Sequence, residues 1–252
     1  MKPLFGAEGE AALAAALARR PLLAFDFDGT LAPIVPRPDD ARVAPEVALR
    51  LARLAQQLPV AVITGRRIDD VRARLGFQPH HVIGNHGAED PQAEGGAALV
   101  RALDVARERL RDDPAALAAC GVWVEDKGAS LAVHYRQAPD PVVALGEIMR
   151  RVGPLAPALS IVGGKMVVNL MAANAPDKAV ALAALVLRSA ADGAVFVGDD
   201  VNDEPVFERR EPTWLTVRVG RAHAGSAARF YVDDPAGVAT MLERMLALLA
   251  SP

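Results

Sequence analysis

The sequence predicts an α/β fold, a doubly wound, Rossmann-like parallel-sheet core into which a smaller α+β domain is inserted. Three observations carry this reading. Short apolar runs alternate with helical stretches in the first third of the chain and again in the last third. Between them the pattern changes to helix, hairpin, helix, hairpin. Two of the apolar runs, far apart in sequence, end in clustered aspartates. Buried strands separated by helices belong to parallel sheets covered on both faces, whereas hairpins belong to antiparallel ones.

The alanine-rich stretch 11–18 reads as an amphipathic or surface helix. LLAFDF at 22–27 is a buried strand running into Gly29-Thr30. Residues 45–58 have helical spacing and open on Pro45, a residue suited to a first turn. PVAVITG at 59–65 is a second buried strand, Ile68 to Leu75 a short helix stopped by Gly76, and HVIG at 81–84 a third strand. GAEDPQAEGG at 87–96 is a linker. A helix follows at about 97–111, then GVWVED and ASLAVHYR flank Lys127-Gly128 as a hairpin. A helix at about 140–151 precedes LSIV and KMVVNL, which flank Gly163-Gly164 as a second hairpin. The core pattern then returns: a helix at 177–190, the strand GAVFVGDD, the strand WLTVRVG and a closing amphipathic helix, PAGVATMLERMLALLA. The expected domains are therefore a discontinuous core, 1–90 with 170–252, and an insert at 91–169.

Composition narrows the function classes. The chain has 252 residues, 52% of them hydrophobic, enough for a sizeable core. A net charge of −3 lacks the basic footprint of a nucleic-acid binder. No apolar run reaches the roughly 18 residues that span a bilayer, and acidic Glu8 and Glu10 stand where a signal peptide is basic. The single cysteine, Cys120, fits a reducing compartment and reads as a small buried residue; Trp123 and Trp214 read as core or interface. The expectation is a cytoplasmic protein with a small-molecule substrate and neither nucleic-acid nor membrane partner. Nothing in the sequence speaks to the oligomeric state. Of 28 basic residues only Lys2, Lys127, Lys165 and Lys178 are lysine, so an internal lysine stands out as a compact point charge.

In an open parallel sheet, ligands sit beyond the carboxyl ends of the strands. Asp26-Phe27-Asp28 and Asp199-Asp200 both stand at such ends. Carboxylates crowd together at low cost only around a cation, and an oxygen-only donor set suits Mg²⁺. No Cys/His set for zinc accompanies them.

DFDGTLAPI at 26–34 resembles the nucleophile signature of the haloacid dehalogenase superfamily. ITGR at 63–66, Lys178 and GDDVNDE at 198–204 match that superfamily's other three motifs in order, and the insert lies where its C2-type caps occur. The APIV run, GNHG at 84–87 and HYR at 134–136 further resemble the trehalose-6-phosphate phosphatases. The resemblance implies a Mg²⁺-dependent phosphatase. Asp26 is then the nucleophile, Asp28 the general acid and base, and Thr64 and Lys178 stabilise the transferring phosphoryl group. Asp26, the Asp28 backbone carbonyl and Asp199 hold the metal, while Asp200, Asn202 and Asp203 position metal waters or Lys178. Substrate contact is implied for Gly65, Arg66, Asn85, His86 and Gly87, and in the cap for Glu125, Lys127, His134, Arg136, Lys165 and Asn169. His134 and Arg136 are expected on one face of one strand. The chain departs from the family where the cap returns to the core: Asn169 stands in an acidic position and Ala179 in a glycine position. That leaves open a phosphatase for another sugar phosphate, such as sucrose phosphate or mannosylglycerate phosphate, or a non-catalytic sugar-phosphate-binding regulator.

Overall fold

The computed structural model of the chain describes residues 1–164, 166–221 and 225–250. In chain order the elements are β1 (Lys2–Pro3), α1 (Ala7–Ala18), β2 (Leu22–Phe25), α2 (Pro45–Ala55), β3 (Val60–Ile63), α3 (Ile68–Arg72), β4 (His81–Ile83), α4 (Gly96–Ala102), α5 (Asp104–Arg111), α6 (Pro114–Ala119), β5 (Trp123–Asp126), β6 (Ser130–His134), α7 (Pro141–Val152), β7 (Leu159–Gly164), β8 (Val167–Ala172), α8 (Lys178–Arg188), β9 (Ala194–Gly198), α9 (Glu204–Glu208), β10 (Trp214–Val219), β11 (Phe230–Val232) and α10 (Pro235–Ala250). They fall into two compact units, Met1–Gly87 with Pro176–Pro252, and Ala88–Ala175. The second unit extends past residue 169 because β8 pairs with β7 along its whole length, through Ala172.

The first unit is a seven-stranded sheet ordered β1-β11-β10-β9-β2-β3-β4, and every pairing is parallel. Its central strands β2, β3, β9 and β10 are buried on both faces, and successive residues serve opposite layers. Leu23, Phe25, Val60, Val62, Val195 and Val197 join α1, α2 and α10 in one core. Leu22, Ala24, Ala61, Ile63, Ala194 and Phe196 join α8 and α9 in the other. That period-two division is why β2, β3 and β9 each read as an unbroken apolar run. Burying each of these large aliphatic or aromatic side chains contributes about 1.5–3 kcal/mol. The alanine-rich helix α1 is amphipathic as expected: Leu13 and Leu17 belong to the first core, while Glu8, Ala11 and Ala15 are exposed. From β2 the chain winds outward one way through β3 and β4. From β9 it winds the other way through β10 and β11. The reversal lies between β2 and β9.

The second unit is a four-stranded antiparallel sheet ordered β5-β6-β8-β7. Leu131, Val133, Val168 and Leu170 face α5, α6 and α7 in a third core with Leu110, Leu117 and Ile148. Helix α7 starts where the Asp140 carboxylate caps it, accepting the N–H groups of Val142 and Val143. The first hairpin turns at Lys127-Gly128 as expected, with Lys127 N–H donating to the Ser130 carbonyl at 2.9 Å. The second does not turn at Gly163-Gly164. Both glycines pair within β7, opposite Val168 and Val167. A glycine pair marks a turn only where left-handed backbone is needed; among the described residues of this turn Met166 takes that conformation, at φ 63°. Lys165, expected to bind substrate, lies outside the described residues. The expected single helix 97–111 is two, α4 and α5, and α6 follows on a Pro114 start. Cys120 is only partly buried. Trp123 stays half exposed, stacked on the His134 ring at 3.9 Å, whereas Trp214 is buried as expected.

Candidate active site

The site lies at the carboxyl ends of β2 and β9, the switch point of the sheet, where neighbouring strand ends splay into a crevice. Asp26 continues β2 by one residue, its N–H donating to the Val197 carbonyl of β9 at 2.9 Å. Lys178 opens α8, whose first turn is capped by Asp177. Its ammonium is buried and sits 2.9 Å from Asp26 Oδ1 and 2.7 Å from Asp203 Oδ1. Asp203 accepts the Asp200 N–H on its other oxygen, at 3.0 Å. Both Asp203 oxygens are thus engaged, and it fixes Lys178 in place. Asn202 donates to the Asp200 carboxylate at 3.2 Å, tightening the same turn. Gly29, at φ 78°, is required twice over: it makes the sharp turn after Asp28, and any Cβ there would stand 2.1 Å from Asp199 Oδ2.

Three carboxylates, Asp26, Asp199 and Asp203, bring one oxygen each to within 4.8 Å of one another. Burial, with Asp203 and Asp199 nearby, raises the Asp26 carboxyl to about 8, even against Lys178. Burial and the Asp203 and Asp200 charges raise Asp199 to about 7. An all-oxygen donor set with more negative charge than one lysine balances fits a hard divalent cation. The cluster of side-chain carboxylates brings together Asp26 and Asp199, the two expected to hold a metal, with Asp203, which was expected to position metal waters or Lys178.

Asp28 is engaged elsewhere. Both its oxygens accept from Arg66, Oδ2 from Nε at 2.7 Å and Oδ1 from Nη2 at 2.8 Å. Arg66 also donates to Asp70 Oδ2 and to the Pro38 carbonyl, each at 2.8 Å. Four of its five N–H bonds are therefore committed within the protein, a poor fit to the expected substrate contact. Thr64 is fully buried, and its hydroxyl oxygen accepts the Arg66 N–H at 3.2 Å. The turn 84–87 straps this loop down. Asn85 N–H donates to the Arg66 carbonyl and His86 N–H to the Thr64 carbonyl, both at 2.9 Å. Asn85, His86 and Gly87 all have positive φ, a costly run for the first two that these bonds hold in place. The His86 ring lies over Gly65, where a Cβ would meet it at 2.4 Å.

Sequence reasoning missed four residues here. Buried Thr30 donates to Asp199 Oδ1 at 3.3 Å. Arg218 donates from Nη2 to the Asp199 carbonyl at 2.5 Å and from Nη1 to Glu204 at 2.8 Å, bracing the backbone under that aspartate. The signal for Arg218 was an arginine inside the apolar run WLTVRV. Asp70 braces Arg66, and its place four residues on in a helix was legible.

The pattern of the trehalose-phosphatase family matches residues 24–236. This chain belongs to the trehalose-phosphatase family. The trehalose-phosphate phosphatase of Mycolicibacterium paratuberculosis is 37% identical over 246 residues, covering 90% of this chain and 62% of that protein. That of Mycobacterium marinum is 33% identical over 248 residues, covering 92% and 63%. The chain thus spans under two thirds of the length of these relatives. Its fold matches the C-terminal domain of the Candida albicans trehalose-6-phosphate phosphatase, with a TM-score of 0.76, 21% identity and coverage of 98% and 99%. Among the described residues, no helix is long and apolar enough to cross a membrane.

In the second unit of this trehalose-phosphatase family member, Glu125, Ala132 and Asn169 stand in register across β5, β6 and β8, on the sheet face opposite the helices. His134 shares that face and meets Glu125 Oε2 at 3.1 Å, while Lys127 Nζ lies 3.9 Å from the same oxygen. Strand β6 ends at His134, and Arg136 is exposed in the turn beyond.

Proposed function

We propose that the chain is a Mg²⁺-dependent, cytoplasmic phosphatase that hydrolyses trehalose 6-phosphate to trehalose and phosphate through a phosphoaspartyl intermediate on Asp26. The observation that carries it is buried Lys178 bonded to Asp26 beside Asp199, with Asp28 two residues on. One Asp26 oxygen attacks phosphorus in line. Asp28 gives its proton to the departing sugar oxygen, a poor leaving group unaided, then takes one from the water that hydrolyses the acyl phosphate. Lys178 and the Thr64 hydroxyl offset the charge on the phosphoryl oxygens. Asp26, Asp199 and the Asp28 backbone carbonyl would hold Mg²⁺, which would supply Lewis-acid neutralisation of that charge. Selectivity for the sugar we assign to polar residues of the second unit, Glu125, His134 and Asn169 foremost.

Purified protein with Mg²⁺ and a panel of sugar phosphates tests this reading. The expected result is a kcat/KM for trehalose 6-phosphate at least about 10²-fold above sucrose phosphate and mannosylglycerate phosphate, in the range one site's hydrogen bonds can discriminate. A reversed order supports the second reading, a phosphatase for another sugar phosphate, which the uncharged Asn169 favours.

A pH dependence follows from the carboxylates. Asp26 and Asp199 hold their protons to about 8 and about 7 in the folded, metal-free protein, against 3.8 ordinarily. Between those values the folded state binds more protons than the unfolded chain, so their contribution to stability falls as pH rises toward 8. Mg²⁺ needs them deprotonated. Thermal unfolding should therefore show Mg²⁺ raising Tm more at about pH 8 than at about pH 6. An equal gain at both would show that these carboxylates do not hold the cation.

A further inference from the structure

We propose that Arg66 is a positioning residue for the acid–base carboxylate of Asp28, and not a ligand of the substrate. The inference rests on the reading of Asp28 as general acid and base, and it assigns the device that keeps that side chain in one place. Asp28 follows the end of β2 in a turn, and its side chain is 44% exposed. Such a carboxylate samples several rotamers unless something holds it. Arg66 holds it with two parallel bonds, the geometry that a guanidinium and a carboxylate share and that a lysine cannot reproduce.

Arg66 is itself immobilised. Its side chain is only 12% exposed, and its guanidinium lies 5.2 Å from the Phe27 ring centroid. Asp70 takes one N–H and the Pro38 carbonyl another. Asp70 is fixed in turn by Arg74, whose Nε and Nη2 lie 2.9 and 2.5 Å from Oδ1. Arg74 reaches back to the Asp39 carbonyl and, at 3.1 Å, to its carboxylate. A chain of alternating charges, Asp28–Arg66–Asp70–Arg74–Asp39, thus ties the acid–base residue to α3 and to the 38–40 turn.

The clamp is compatible with the proton cycle. A carboxylate offers about four lone-pair sites, and Arg66 takes two. The others can carry the proton. In the first step the phosphorus–sugar oxygen bond breaks, its electron pair stays on that oxygen, and the oxygen takes the proton from Asp28. In the second, water attacks phosphorus and gives its proton to Asp28, while the phosphorus–Asp26 bond breaks and returns its electrons to Asp26. Arg66, which stays protonated throughout, can orient these transfers but perform neither.

The test is the dependence of kcat/KM on the leaving group, with Arg66→Met and Arg66→Lys against the unaltered protein. The substrates are trehalose 6-phosphate and substituted phenyl phosphates, which contain no sugar. A good leaving group such as p-nitrophenolate departs without a proton; unsubstituted phenolate needs one. Because kcat/KM ends at departure of the leaving group, the expected result is a kcat/KM on p-nitrophenyl phosphate within about 3-fold of the unaltered protein, and a loss of about 10²-fold on phenyl phosphate and on trehalose 6-phosphate, at the low end of what acid–base catalysis contributes. Arg66→Lys should not rescue. A ligand of the sugar would lower only the sugar phosphate, and a ligand of the phosphate or a merely structural residue would lower every substrate alike; each leaves the slope across the phenyl series unchanged and overturns the proposal. Should Arg66→Met not fold, Asp70→Asn, which removes the brace and leaves both partners of the clamp in place, must steepen the same slope, and an unchanged slope overturns the proposal. An unaltered protein that hydrolyses none of these esters refutes the phosphatase reading itself, separately from the role of Arg66.

Discussion

Asp26→Asn abolishes turnover and leaves the fold intact. The amide cannot form an acyl phosphate, so the two-step route closes, and a loss of at least about 10⁴-fold in kcat is expected, as when other enzymes lose a nucleophile. The fold is spared for an electrostatic reason. Burial raises the Asp26 carboxyl to about 8, so its charge is disfavoured in the metal-free protein. A neutral amide of the same shape removes that penalty, while Lys178 keeps Asp203 at 2.7 Å. Without metal at about pH 8, Tm should stay level or rise; with Mg²⁺ the variant should gain less than the unaltered protein. Steady-state assays and thermal unfolding measure both. Unreduced hydrolysis by Asp26→Asn would take the nucleophile's role away from this residue.

The strand ends were legible because apolar runs that stop at aspartates leave few alternatives. A buried parallel strand must be apolar throughout, and Asp26 and Asp199 each stand one residue beyond one. The neighbourhood of β2 and β9 was not written in the pattern. It comes from the reversal of winding, and with it the meeting of Asp26, Lys178 and Asp203. Contacts made by long side chains across the sheet were harder still. The resemblance implied substrate contact for Arg66; the Pro38 carbonyl and Asp28 that occupy its donors lie 28 and 38 residues earlier. Arg218 is one arginine in a valine-rich strand, and only the pairing of β10 with β9 brings it opposite Gly198, next to the carbonyl it braces. Strands β1 and β11, two and three residues long, carry too few side chains for any period to register. The glycines of β7 misled for the opposite reason, since their composition suits a turn but their backbone is extended.

Lys178→Met is expected to cost both stability and activity, and a second substitution separates the two. The methionine keeps most of the volume but leaves the Asp26 and Asp203 carboxylates without their common cation. Removing one partner of a buried charge pair costs about 3–5 kcal/mol, a fall in Tm on the order of 10 °C for a chain of this size. The loss should be largest at about pH 8 and shrink at about pH 6, where Asp26, already raised by burial, takes up a proton; a deficit independent of pH would trace it to packing instead. Activity should fall by about 10²–10³-fold, as when a preorganised donor to a transition state is lost. In Lys178→Met with Asp203→Asn the fully buried aspartate is neutral as well, and Asp26 can protonate. That double variant should recover most of the lost stability, because the uncompensated charge and not the lost contact is what destabilises the single variant. Its hydrolysis should stay as slow as the single variant's, since no cation has been returned to the phosphoryl group. Recovery of activity along with stability would make Lys178 a structural counter-ion and remove it from the chemistry.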